Sequence, residues 1–310
     1  MVPETWTILK LLSWTESYFK SYNIDSPRLT AEILLCHALN IRRLDLYLQF
    51  DRPLNKDELA AYKSLIKRRV KREPVAYITG IKGFWDSQFT VTSDVLIPRP
   101  DTETLVEAAL AQIQQKKESL KRKITVLELG TGSGAIAVSL AKANPDVLFF
   151  ATDISPKAAV VAKNNSTIDS ETTFSVSAAE AIQKEHLTNL FFLVGSWFSP
   201  IKSGIQFDTI ISNPPYIPTD EINNLQQEVQ HYEPHLALDG GADGISCLRE
   251  IMLSACSYLS QEGILLMEMG FDQYEKLEQE SLKIEKYEKP IFIKDYAGHY
   301  RVVLLKMKKR

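Results

Sequence analysis

The chain has 310 residues, 45% hydrophobic and 24% charged, with a formal net charge of −3, the balance of a globular protein with ample core. This charge argues against a strongly basic nucleic-acid binder, although a local basic patch is compatible with it. Cys36, Cys247 and Cys256 show neither metal nor disulfide spacing, and Cys247 and Cys256 lie too far apart along one helix to bridge. No apolar run approaches a membrane span, and Glu4 and Glu16 interrupt residues 1–20, which therefore do not read as a secretion signal. The expectation is a cytoplasmic protein without metal or membrane contact.

From Thr5 to Arg72 the pattern is helical. Ile8, Leu11, Leu12, Tyr18 and Phe19 share one apolar face, and Ser26-Pro27 starts a second helix with Leu29, Ile33, Leu34, His37 and Ala38 at helical spacing. His37 reads as an ordinary helix residue, since no second metal-type residue lies four positions away on its face. A further helix, Leu54 to Val70, runs into Lys67, Arg68, Arg69, Lys71 and Arg72. A solvated helix end beside a favourable dipole is the favoured reading of that cluster; an acidic or RNA-like partner is the weaker one.

Between Glu73 and Thr104 the texture changes. Phe84 to Val91 alternates like a strand or hairpin, and Leu96 to Glu103 is a loop stiffened by Pro98 and Pro100. Asp101 or Thr102 is expected to cap a helix from Glu103 to Gln115. Strands and helices then alternate. Strands are expected at Ile124–Leu129, Val147–Thr152, Leu190–Val194, Phe207–Ser212, Gly263–Met269, Lys283–Glu288 and Tyr300–Met307, and helices at Ala135–Ala143, Pro156–Asn164, Ile245–Leu259 and Tyr274–Glu280. This is an α/β sheet with helices on both faces.

Gly130-Thr131-Gly132-Ser133-Gly134 joins the first of these strands to the first helix, and Asp153 ends the next strand, placed to accept hydrogen bonds from ribose hydroxyls. Gly130-x-Gly132-x-x-Ala135 also satisfies the dinucleotide fingerprint. Glu128, just before the first glycine, favours S-adenosylmethionine (SAM): a carboxylate suits a cationic methionine moiety and repels a pyrophosphate. A strand-end carboxylate bonded to local backbone is an equal alternative for Glu128.

Phe207 to Ser212 reads as a buried strand running into Asn213-Pro214-Pro215-Tyr216. The prolines hold Asn213 extended and aim the Pro214 carbonyl, and Tyr216 adds a flat ring. Two oxygen acceptors beside a ring suit a planar –NH2 group, which offers two N–H donors. The motif resembles the signature of methyltransferases acting on planar amino groups, such as exocyclic base amines or glutamine amides. A merely rigid Pro-Pro loop is the bland alternative.

Over almost its whole length the chain resembles the PrmC/HemK family, release factor glutamine N5-methyltransferases. The likeness rests on Glu73-Pro74-Val75-Ala76-Tyr77-Ile78-Thr79-Gly80, Phe84-Trp85, Ile97-Pro98-Arg99-Pro100-Asp101-Thr102-Glu103, the glycine loop, Ser212-Asn213-Pro214-Pro215-Tyr216-Ile217, Glu233-Pro234, Gly240-Gly241-x-Asp243-Gly244 and Lys294-Asp295-x-x-Gly298-His299-x-Arg301. It implies a class I SAM-dependent methyltransferase, Rossmann-like with a seven-stranded sheet, behind a helical bundle: a substrate-recognition domain at 1–82, a hairpin linker at 83–103 and the methyltransferase domain at 104–310. It implies cofactor contacts from Gly130, Thr131, Gly132, Ser133, Gly134, Asp153, Trp197 and Asn213. Glutamine contacts are implied from Asn213, Pro214, Pro215 and Tyr216, with Asn213, Pro214 and Tyr216 catalytic. S-adenosyl-L-homocysteine is the implied product and class 1 peptide-chain release factors are the implied partners, with a monomer and no stable nucleic-acid partner expected. The family pattern has Gly-Asp-Trp where this chain has Gly195-Ser196-Trp197, and the stretch from Asn165 to Leu190 is longer than the pattern. An N6-adenine methyltransferase, a non-catalytic SAM-binding protein and a nicotinamide dehydrogenase are the competing readings.

Overall fold

The structure, a computed structural model, describes residues 5–168 and 185–309. The chain divides into two compact units: a helical one that runs to Ile81 and takes in Gln226–Tyr232, and a larger α/β one.

In the helical unit, α1 (Ile8–Ser21), α2 (Pro27–Leu39), α3 (Arg43–Leu48), α4 (Lys56–Val70) and α5 (Val75–Thr79) enclose a core of Ile8, Leu12, Phe19, Ala31, Leu34, Leu35 and Tyr62. Burial corrects the expected face of α2. Ala31, Leu34 and Leu35 turn inward with Ala38 partly covered, whereas Leu29 and Ile33 are exposed. The basic end of α4 is also not a solvated cluster throughout. Arg68 forks onto Glu73, and buried Arg69 and half-buried Arg72 both bind Glu228 of α9 (Gln227–Tyr232). Desolvated guanidiniums require such partners, because an unpaired buried charge is costly.

In the α/β unit, β1 (Ile81–Phe84) and β2 (Ser87–Thr90) form a hairpin whose first residue falls at the division between units. Then come α6 (Glu103–Ser119), β3 (Thr125–Leu129), α7 (Ala135–Ala143), β4 (Leu148–Asp153) and α8 (Pro156–Asn165). The two-residue strands β5 (Thr167–Ile168) and β6 (Glu185–His186) pair with each other. The remainder is β7 (Leu190–Val194), β8 (Phe207–Ser212), α10 (Ser246–Ala255), β9 (Leu259–Glu268), α11 (Tyr274–Leu282), β10 (Ile291–Lys294) and β11 (Tyr300–Lys306).

Seven strands form one sheet in the order β10-β11-β9-β8-β3-β4-β7. The five from β9 to β7 are parallel, and β11 and β10 add antiparallel. Alternation along each strand sends residues to two cores. Val126, Ile211, Ile264, Leu266 and Val302 pack with α6 and α7, and Leu127, Ile210, Leu265, Met267 and Val303 with α10 and α11. At the lower end Arg122 forks onto buried Asp208, which also accepts from Thr125 N (3.0 Å) and Ser260 Oγ (3.0 Å) and so pins β3, β8 and β9 together.

Two expected elements differ. Residues 283–288 turn instead of forming a strand, because Ile284 and Tyr287, three apart, both face the core and the Tyr287 hydroxyl donates to Met252 O at 2.8 Å. The strand expected from Gly263 begins at Leu259, which pairs with Phe207 and ends the preceding helix early.

Candidate active site

From β3 the chain runs outward through β4 to β7, then returns to β8 on the other side of β3. The crevice beyond the carboxyl ends of β3 and β8 is therefore a topological switch point, where open α/β sheets bind ligands. A cavity of about 320 Å³ lies there, bordered by the glycine loop, Asp153, Trp197 and Asn213.

The glycine loop is held from below. Gly130 N and Thr131 N donate to Thr152 O at 2.9 and 3.0 Å, and Gly134 N donates to Thr131 O at 2.8 Å. Gly134 has φ +82°, and a Cβ there would lie 3.0 Å from Ala162 Cβ, so only glycine lets the loop enter α7 against α8. Asp153 anchors the loop from β4. Its two carboxylate oxygens accept from Gly132 N and Ser155 N, each at 2.8 Å. Burial raises its pKa against those amides, and each oxygen retains a lone pair for further donors. Trp197 sits in the left-handed region at φ 43°, with its carbonyl accepting from Thr152 Oγ1 at 3.1 Å. Its ring covers Gly130, where an added Cβ would be 3.5 Å from Cζ3.

Glu128 is fully buried at the end of β3 and borders the cavity. One oxygen accepts from the Thr131 hydroxyl at 2.6 Å, and the other, Oε1, meets no donor in full hydrogen-bond geometry, while the Ala137 amide of α7 favours the ionised carboxyl. Burial pushes this carboxyl up to about 8.

At the end of β8, Asn213 Nδ2 donates to Thr102 Oγ1 at 3.2 Å. Thr102 therefore does not cap α6 as expected. Its backbone is already helical after a 3₁₀ turn, and neither it nor Asp101 makes the capping hydrogen bond, Asp101 instead pairing with Arg301 at 3.0 Å. The Tyr216 hydroxyl donates to Glu268 Oε1 at 3.1 Å, and its carbonyl accepts from Gln273 Nε2 at 2.7 Å. Gly240 packs against Tyr216, a Cβ there falling 2.7 Å from Tyr216 Cα. The motif is thus clamped from both sides. Arg99, at the cavity wall, is paired with buried Glu233, whose second oxygen accepts from Ile97 N, so this arginine orders the proline loop.

Of the residues expected to hold a cofactor, Gly130, Thr131, Gly132, Ser133, Asp153, Trp197 and Asn213 border one cavity, while Gly134 closes the turn without bordering it. Of those expected at the acceptor, Asn213 and Pro215 border it; Pro214 is buried and Tyr216 half-buried, outside its wall. Ser196 borders it too. The long stretch after Asn165 falls largely at 169–184, outside the described residues. Thr102 and Glu268 escaped sequence reasoning. Glu268 carried the same signal as Glu128, a carboxylate ending an apolar strand; Thr102 looked like a cap.

The donor set fits SAM. An unpartnered buried carboxylate oxygen suits a cation, Asp153 suits a diol, and the volume lies within the range of small-molecule sites. The seven-stranded sheet, with a glycine loop after β3 and Asn-Pro-Pro-Tyr after β8, defines a class I methyltransferase. Residues 10–80 match the model of the PrmC N-terminal domain and residues 120–294 that of a methyltransferase domain. The chain is 42% identical to the release factor glutamine methyltransferase of Geobacter sulfurreducens over 88% of this chain and 87% of that one. The protein of the same name from Aliivibrio fischeri is 37% identical over 90% of both chains, and that from Rhodopirellula baltica 34% identical over 96% of this chain and 95% of its own. The chain belongs to the release factor glutamine methyltransferase family.

Proposed function

We propose that the chain transfers the methyl group of SAM to the side-chain amide nitrogen, N5, of the glutamine in the Gly-Gly-Gln motif of class 1 peptide-chain release factors. The observation that carries this reading is Asn213: held through its Nδ2, it borders the same cavity as the glycine loop, Glu128 and Asp153. The names of the relatives supply the acceptor.

When bound, SAM supplies an electrophilic methyl group on a sulfonium. Gly130 to Ser133 and Asp153 would hold it, with Trp197 covering the loop, Gly134 closing the turn and the Glu128 carboxyl suited to its positive charge. Asn213 Oδ1 and the Pro214 carbonyl accept the two N–H groups of the glutamine amide, and Tyr216 packs along its plane. An amide nitrogen is a poor nucleophile because its lone pair is delocalised. Two acceptors orient it, and they favour the positive charge that grows on it as the new bond forms. The proton leaves after the methyl has arrived, so no general base is required beforehand. The helical part, residues 1–82, recognises the release factor, 83–103 links it to the transferase at 104–310, and the enzyme works in the cytoplasm as a monomer without a stable nucleic-acid partner. S-adenosyl-L-homocysteine is the product.

The test offers labelled SAM and two acceptors in parallel, an unmethylated release factor and unmethylated adenine-containing DNA. Label on the factor, lost when its Gly-Gly-Gln glutamine is replaced, is the expected result. Label on DNA alone would overturn the reading in favour of an adenine methyltransferase.

A further inference from the structure

Behind the acceptor motif lies a carboxylate to which the proposed mechanism gives no part. Glu268 ends β9, the parallel neighbour of β8, and Met267 pairs with Ser212, so Asn213 and Glu268 follow side by side at the strand ends. Glu268 is fully buried and does not border the cavity. One of its oxygens accepts from the Tyr216 hydroxyl at 3.1 Å, and the other, Oε2, meets no donor at full hydrogen-bond distance. The Thr102 hydroxyl, whose lone pair takes the proton of Asn213 Nδ2 at 3.2 Å, stands beside this carboxyl and favours its ionised form.

A hydroxyl has one proton, and where that proton goes decides which end of a neighbouring amide it meets. A Thr102 proton turned towards Glu268 would leave Thr102 only able to accept from Asn213. The Asn213 amide must then present Nδ2 to Thr102 and leave Oδ1 for an incoming N–H. Without an acceptor behind it, Thr102 could donate to Oδ1, and the amide could turn to present two donors to the substrate. Two donors facing the –NH2 of a glutamine repel it.

We infer that Glu268 is the positioning residue of the methyl-acceptor site, setting the amide orientation of Asn213 through the Thr102 hydroxyl and fixing the Tyr216 ring through its own. The inference rests on the proposed glutamine chemistry, but it concerns which atom of Asn213 meets the acceptor. The charged and titratable groups around Glu268 are Tyr216 from the β8 end, Arg301 from β11 and Asp101 from the turn before α6. Burial lifts the Glu268 carboxyl to about 7, partly opposed by Thr102, Tyr216 and Arg301. A protonated Glu268 competes as a donor with the two hydroxyls it should receive. Turnover therefore rises with pH through this carboxyl.

The experiment measures methyl transfer to an unmethylated release factor by the wild-type chain and by Glu268→Gln, Thr102→Val, Thr102→Ser and the Glu268→Gln/Thr102→Val double variant. SAM affinity is measured alongside by calorimetry. Expected is a loss of kcat of roughly tenfold to a hundredfold in Glu268→Gln and in Thr102→Val, the scale of a misplaced reacting group. Thr102→Ser should keep turnover, the double variant should be no worse than the singles, SAM affinity should hold, and the pH limb should vanish in Glu268→Gln. A wild-type kcat in Glu268→Gln, additive losses in the double variant, or SAM affinity falling in step with turnover would overturn the inference. Thr102→Val tests the same chain of hydrogen bonds should the buried substitution prevent folding. An inactive wild-type chain in this assay would instead sink the glutamine reading itself.

Discussion

The ends of β3 and β9 carry the same device and use it differently. Each strand carries, at or next to its last residue, a fully buried glutamate with one oxygen hydrogen-bonded and one without a partner. Strand alternation also sends both to the face that packs α6 and α7. Glu128 borders the cavity, so no other side chain need carry its charge to a ligand there. Glu268 lies behind Thr102 and Tyr216, so its charge reaches the ligand only through the hydroxyls it orders. A buried carboxylate thus becomes a binding group or a positioning group according to whether a side chain stands in front of it.

Breaking the acceptor end should cost the most. Asn213→Ala removes the side-chain acceptor of the amide, and kcat should fall by roughly 10² to 10³, the loss seen when one preorganised hydrogen-bonding group is deleted. Methyl transfer to a release factor measures this, and near-normal turnover would refute the acceptor role. The donor end should answer in affinity instead. Asp153→Ala loses the proposed SAM contact and the anchor of Gly132 N and Ser155 N. SAM binding by calorimetry should weaken by roughly tenfold to a hundredfold, the equivalent of one or two charged hydrogen bonds, with a smaller effect on kcat at saturation.

A pH series separates the two glutamates more gently. In the free protein burial holds Glu128 near 8, whereas a cationic ligand favours its ionised form, so binding at neutral pH must expel a proton. SAM affinity should therefore climb with pH by up to about tenfold per unit from about pH 6 to about 8, then level off. Glu128→Gln should flatten that slope; a slope unchanged in the variant would remove Glu128 from the site. The ligand-free fold should show the reverse trend. Both carboxyls stand above their ordinary value of 4.5, at about 8 and about 7. Their stabilising contribution is complete below that value and is lost as pH rises through the folded values, so the melting temperature should drop between about pH 5 and about 8. The drop should shrink in Glu128→Gln. Added SAM should oppose it by binding the ionised form.

Much of this was readable from local pattern. The glycine loop, Asp153 and Asn-Pro-Pro-Tyr announce themselves because backbone constraint and strand ends are written in neighbouring residues. The ranges of α7, β7 and β8 follow equally from the run of apolar side chains between breakers. What failed had its cause elsewhere in the chain. Arg69 looked solvated because its partner Glu228 lies 159 residues away. Thr102 looked like a cap because nothing local revealed Asn213, 111 residues on, as its partner.

By itself the sequence determined an α/β sheet with its glycine loop and its Asn-Pro-Pro-Tyr strand end, since turn geometry and hydrophobic period are properties of short stretches. Only the tertiary structure decided which strand lies beside which. That order puts the ends of β3 and β8 at one cavity and Glu268 behind Tyr216, while Thr102 meets Asn213 at the cavity wall. The physical reason is that burial and hydrogen-bond partnership belong to pairs of residues, and most of these pairs are joined by the sheet rather than by the chain.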